Sequence, residues 1–123
     1  MKRLIAAAVA AALVTALAVF GSLQTQKIAT EVTAQTRTIA ANAKNGTTTG
    51  QEQNFCNYWA QQEPLLSLFM NHGTLQEIGA TAVRMAAAAQ QREFFEVSTA
   101  AKEIEYAMQK AYEDEKLRWA VLF

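Results

Sequence analysis

The chain has 123 residues, no formal net charge and 51% hydrophobic residues, many of them alanine. This length allows one domain at most, and the balanced charge excludes a strongly basic surface for nucleic acid. A single cysteine excludes an internal disulfide. With one proline, five glycines and no alternating β-branched runs, the composition favours an all-α protein.

The N-terminal segment has the composition of a membrane-spanning helix. Residues 1–3 carry two basic side chains, and residues 4–23 form an uncharged, mostly apolar run. At 1.5 Å per residue this run spans about 30 Å, the hydrocarbon thickness of a bilayer. The basic residues keep residues 1–3 in the cytoplasm, so we expect a single-pass cell-membrane protein whose C-terminal part is extracytoplasmic. A cleaved secretory signal is the alternative, because Ala16-Leu17-Ala18 fits a cleavage site.

Residues 24–45 contain no proline or glycine and are predicted to continue the helix as a stalk. Ile28, Val32 and Ile39 share one face, which Gln35 interrupts. This thin stripe suits a helix that leans weakly on a partner rather than a core element.

A loop over residues 46–50 is predicted to end the stalk. Its composition is that of a turn. Gly46 is suited to the left-handed position that follows a helix.

Residues 51–123 are predicted to fold as a bundle of about three further helices. The first of them covers about 51–71 and contains Pro64. Because proline removes a backbone donor and clashes with the preceding turn, we expect a kink near residues 59–63 or two helices meeting there.

A corner follows at the only histidine, His72. We expect His72 in the last turn of the helix, Gly73 at positive φ, and Thr74 with Glu77 as a capping box for the next helix. An imidazole there can cap free carbonyls or pack in the corner. Contact with a partner, pH sensing and catalysis are the alternatives.

Two longer helices complete the predicted bundle, at 75–90 and about 92–119. Each repeats apolar residues in steps of three and four. These residues are Leu75, Ile78, Ala82, Met85 and Ala89 in the first helix, and Phe94, Val97, Ala101, Ile104, Met108 and Ala111 in the second. The tail ends apolar at Trp119, Val121, Leu122 and Phe123, and must dock on the bundle, the membrane or a partner.

The sequence predicts no catalytic, cofactor-binding or metal-binding residues. One histidine and one cysteine cannot build a zinc site without several carboxylates, and Glu93 and Glu96 lack the histidine of a di-iron motif. On a straight helix Cys56 and His72 would lie about 24 Å apart, which argues against a catalytic pair. Cys56 is either a small buried residue or the site of an intermolecular disulfide. We therefore do not expect an enzyme.

Two patterns in the chain are a Trp…Phe-x-x-His-x-x-Leu-x-x-Ile corner, at Trp59, Phe69, His72, Leu75 and Ile78, and a Tyr-Glu-x-Glu-Lys stretch in the last helix, at Tyr112, Glu113, Glu115 and Lys116. In these patterns the chain resembles a family of small single-pass bacterial membrane proteins, mainly from Firmicutes, that is known only as a domain of unknown function. Gln76 stands where the family has an acid, and Val121 where it has asparagine. The resemblance implies topology and fold but no chemistry. The candidate structural or partner-contact residues are Trp59, Phe69, His72, Leu75, Ile78, Tyr112 and Glu115.

The expected function is binding, as a scaffold or accessory component of the cell envelope. The expected partners are the lipid bilayer and either an unknown envelope protein or a second copy of the chain, with no nucleic acid and no cofactor. The first alternative is a small-molecule-sensing bundle with its site near Trp59, Phe69 and Met85. The other is a secreted helical protein released by cleavage near Ala18.

Overall fold

The computed structural model describes residues 1–47 and 50–122, apart from the side chains of Trp119 and Leu122. All regular structure in this part of the chain is helical, which confirms the predicted all-α class. The four helices are α1 (Lys2–Lys44), α2 (Gln51–Leu66), α3 (His72–Gln90) and α4 (Phe94–Leu122).

The helices pack in a ring, with α1 against α4, α4 against α3, α3 against α2 and α2 against α1. Arg37 of α1 pairs with Glu105 of α4 at 2.9 Å. Nearer the start of α1, Ser22 and Ala120 line the same groove. The two long helices therefore run antiparallel.

The second half of α1 is a core element, and the prediction of a weakly leaning stalk is wrong. Ile28, Val32 and Ile39 are at most 2% exposed. Thr25 and Thr36 complete the buried face. The Thr36 hydroxyl donates to Val32 O at 2.9 Å, so its methyl can pack in the core while its polar atom is satisfied within the helix. Because Thr25 and Thr36 are polar residues, the apolar stripe is thinner in the sequence than the face that the structure buries.

The end of α1 confirms the predicted role of Gly46, which has φ +75°. The Thr47 N–H donates to Asn42 O at 2.9 Å, and the Gly46 N–H donates to Ala43 O at 3.0 Å. This is the pair of bonds that closes a helix through a left-handed residue. Residues 48 and 49 of the predicted loop lie outside the described residues.

Helix α2 stays helical across residues 59–63, so the prediction of two helices meeting there is wrong. The helix ends at Leu66, two residues after Pro64. The Phe69 and Met70 N–H groups then donate to Leu66 O at 3.0 and 2.8 Å. Pro64 lacks a backbone N–H, but it lies so close to the end of α2 that the helix loses only one backbone donor before the turn begins.

The corner between α2 and α3 differs from the prediction. Asn71 is the N-cap of α3, and its side chain accepts from the Gly73 N–H at 2.7 Å. His72 is therefore the first residue of α3, and not the last turn of α2. Gly73 lies within α3 without a positive φ, and Thr74 is not the cap. Asparagine caps helices at least as well as threonine. The helix therefore begins after Asn71, the earlier of the two possible caps, and not after Thr74.

The core lies between the four helices. Its residues confirm the apolar faces that were predicted for α3 and α4. Its members have exposures of 9% or less. In α3 the predicted residues are Leu75, Ile78, Ala82, Met85 and Ala89, and in α4 Val97, Ala101, Ile104 and Met108. Phe94 and Ala111 pack against this cluster from its edge.

Candidate functional site

The first half of α1 exposes an apolar surface that the bundle does not cover. Between residues 4 and 23 its large hydrophobic side chains are each at least 51% exposed. They are Leu4, Ile5, Val9, Leu13, Val14, Leu17, Val19, Phe20 and Leu23. In the described part of the chain, α1 is the one helix long and apolar enough to span a membrane, and a signal sequence has the same character.

A polar side chain within this apolar run is satisfied by its own helix. The Thr15 hydroxyl donates to Ala11 O at 2.9 Å. Since hydrocarbon offers no other partner, this bond makes the threonine compatible with a lipid environment.

The buried face of α1 begins at Gly21, just after the predicted cleavage site at Ala18. The core residues of α1 from Ile28 to Ala43 all follow that site. Both a retained anchor and a cleaved signal therefore leave the bundle with its complete buried face.

The corner between α2 and α3 is fastened to both long helices at the point where the apolar run ends. The Phe69 ring packs on Gly21, so that a Cβ at this glycine would lie 2.7 Å from Phe69 Cζ. The Arg118 Nη2 group donates to Phe69 O at 2.9 Å. Sequence reasoning selected Phe69 but missed Gly21 and Arg118, because no local pattern links three segments so far apart in the chain.

Exposed apolar side chains lie close in sequence to Phe69 and Arg118. Leu68 is 74% exposed, Leu117 is 66% exposed and Val121 is 80% exposed. We call these three residues the corner end of the bundle. Leu117 and Val121 are four residues apart and so share one face of α4.

A groove lies between α1 and α4, and its α4 residues Lys116 and Ala120 are the sequence neighbours of Leu117 and Val121. The groove has a volume of about 520 Å³. Its lining is mostly small or apolar and consists of Thr15, Ala18, Val19, Ser22, Leu23, Lys116 and Ala120.

A second groove lies between α2 and α3 at Trp59. The tryptophan is 2% exposed, and its Nε1–H has no acceptor among the described residues. Gly79 leaves the space that the indole occupies, since a Cβ there would be 3.3 Å from Nε1. The groove has a volume of about 330 Å³ and is also lined by Cys56, Glu63 and Gln76. A buried indole N–H usually has a hydrogen-bond partner, so this donor is an unsatisfied polar group at the wall of the groove.

The surroundings of two ionisable groups on α2 favour their neutral forms. Burial raises the pKa of the Cys56 thiol, which donates to Ala82 O at 3.2 Å. Burial and the nearby Glu31 carboxylate raise the pKa of Tyr58. A raised thiol pKa lowers the thiolate fraction, so Cys56 is a poor nucleophile where it stands.

The structure separates the cysteine and the histidine. Cys56 bonds Ala82 in the middle of α3, whereas His72 begins that helix and is exposed. Ten residues of helix place Ala82 and His72 about 15 Å apart. Among the described residues, no group of three or more His, Cys, Asp or Glu side chains could hold a metal ion.

The seven candidate contact residues do not form one surface. Leu75 and Ile78 are at most 1% exposed and belong to the core. Glu115 is 3% exposed, and Tyr112 packs against the core cluster from its edge. Of the predicted ligand site, Trp59 and Met85 are buried and Phe69 packs on Gly21.

Comparisons with protein-family models, curated proteins and solved structures give no match. The resemblance to the single-pass family of unknown function therefore stays a prediction.

Proposed function

We propose that the protein is a membrane-anchored, extracytoplasmic helical bundle that works by binding, as a scaffold or accessory component of the cell envelope. One observation carries this proposal. Helix α1 is continuous from Lys2 to Lys44. Its first half is apolar and exposed, and one face of its second half is buried in the core. Because one helix would serve as both anchor and core element, the bundle would be held at a fixed position relative to the membrane.

The anchor is tested on the full chain in native membranes. We expect the protein to resist extraction by high salt and alkaline carbonate, and its intact mass to include residues 1–18. A soluble protein with a mass that begins at Val19 would instead support the secreted alternative.

The binding role is tested by crosslinking and recovery of partners from those membranes. The matched control is Ile39→Asp, which places a charge at a position 1% exposed and should unfold the bundle while leaving the apolar run unchanged. We expect the same envelope protein, or a second copy of the chain, to be recovered repeatedly with the native chain and lost with Ile39→Asp. The absence of any such partner would count against the scaffold role.

The Trp59 groove favours a second candidate, a bundle that binds a small molecule with a hydrogen-bond acceptor. A ligand that binds only the folded state raises the unfolding temperature. A thermal-shift screen of metabolites should then find a stabilising compound, and Trp59→Phe should remove its effect by deleting Nε1–H while keeping an aromatic ring. Equal stabilisation of both proteins would exclude the indole as the contact.

A further inference from the structure

The structure brings the end of α4 beside the outer part of the apolar run. Ala120 and Lys116 line one groove with α1 residues from Thr15 to Leu23. Only residues 4–14 of the run lie entirely beyond that groove. At 1.5 Å per residue they account for about 16 Å, roughly half the thickness of a bilayer's hydrocarbon core.

Residues 4–14 alone are too short to cross the hydrocarbon core, and this determines the position of the bundle if α1 is the anchor. To span about 30 Å, α1 must also place the residues beside α4 within the membrane. The end of α4 then shares the outer leaflet with α1. The corner between α2 and α3 follows, because Arg118 binds Phe69 O and Phe69 packs on Gly21.

We infer that the corner end, Leu68 with Leu117 and Val121, is embedded in the outer interfacial zone of the bilayer and contacts lipid acyl chains. This inference rests on the proposed anchor. It accounts for three large apolar side chains that are at least 66% exposed. Each of them is next in sequence to a residue that meets the outer part of α1, namely Phe69 on Gly21 and Lys116 and Ala120 in the groove. Exposed apolar side chains of this kind are stabilised when they leave water.

The chemistry around the corner end suits this position. Lys116 lies at the groove and has a long stem, so its ammonium group can reach the headgroups from beside the acyl chains. The small side chains Ala18, Ser22 and Ala120 leave the groove open between the two helices. An acyl chain that fills this groove would cover the apolar flanks of both helices.

The test uses the full chain with Cys56→Ser and one new cysteine, labelled with an environment-sensitive fluorophore and reconstituted in phosphatidylcholine vesicles. The labelled variants are Leu13→Cys in the anchor, Leu117→Cys and Val121→Cys at the corner end, and Tyr106→Cys as the control. Tyr106 is 67% exposed and adjoins Glu105, the partner of Arg37. This pair lies about 21 Å along α1 from Leu23. Circular dichroism verifies that each labelled protein is folded.

Lipids with a nitroxide high on the acyl chain then quench the labels that contact the bilayer. We expect severalfold quenching and blue-shifted emission at positions 117 and 121, and unquenched emission at position 106. Quenching at position 13 with water-like emission at 117 and 121 would overturn the inference and leave the anchor intact. An unquenched label at position 13 would overturn the anchor itself, and the inference with it.

Discussion

Replacing Ile39 by alanine tests whether residues 24–45 belong to the core. Ile39 is 1% exposed on the buried face of α1. The substitution removes three carbon atoms, which costs about 2.4 kcal/mol at about 0.8 kcal/mol per buried CH₂. The cavity left behind brings the expected loss of unfolding free energy to about 2–5 kcal/mol. A helix leaning weakly on a partner would lose much less.

The assay is urea unfolding of the full chain in a mild detergent. The apolar half of α1 will stay helical in detergent, so near-ultraviolet circular dichroism and tryptophan fluorescence are the appropriate probes of the bundle. We expect the unfolding midpoint of Ile39→Ala to fall without a change in the slope of the transition.

The matched control is the neighbouring residue Thr38, which is exposed and whose hydroxyl donates to Ala34 O at 3.0 Å. Thr38→Ala should change the unfolding free energy by no more than about 0.5 kcal/mol, as surface substitutions usually do. If the Ile39 and Thr38 variants unfold at the same urea concentration, the segment is a solvated stalk and the reasoning is refuted.

Three further predictions use the same unfolding assay. Thr25 Oγ1 is buried without a partner among the described residues, so Thr25→Val should stabilise the fold by about 1–3 kcal/mol. The control Thr36→Val loses only a hydrogen bond within its own helix, so its effect on stability should be near zero. Arg92 has φ +58°, and Arg92→Gly should stabilise by about 1 kcal/mol because glycine adopts this conformation without steric cost; a loss of stability would contradict this. Burial raises the pKa of Cys56, so the folded state favours the neutral thiol. The contribution of the neutral thiol to the unfolding free energy is complete below the ordinary thiol pKa of about 8.5, and it is lost as pH rises through the pKa of the folded state. Stability should therefore decline above about pH 8.5, and Cys56→Ser should reduce that decline; an unchanged decline would assign it to other groups.

Features that depend on neighbours along the chain were predictable. The apolar run over residues 4–23 indicates a span or signal through its length alone, and the structure agrees that α1 has that character. The seams of α3 and α4 follow from spacing, because residues three and four apart share a helix face. Gly46 was identified because the left-handed position strongly favours glycine.

Close competition between local signals limited the prediction at the corner. Asn71 and Thr74 are both good N-caps, and their energies differ by less than tertiary contacts contribute. Arg92 takes a left-handed conformation without being glycine, so no residue type marked the end of α3. The Glu93 N–H closes that end by donating to Ala88 O at 2.9 Å.

The sequence by itself determined the helical class, the apolar N-terminal half of α1 and the faces of α3 and α4, because these depend on composition and periodicity within one segment. Only the tertiary structure decided that the second half of α1 is core, since its thin stripe with Thr25 and Thr36 becomes a buried face when α4 packs along it. The same holds for the contact of Phe69 with Gly21 and Arg118. Residues so far apart in the chain meet only after the helices pack, and their proximity is a property of the bundle as a whole.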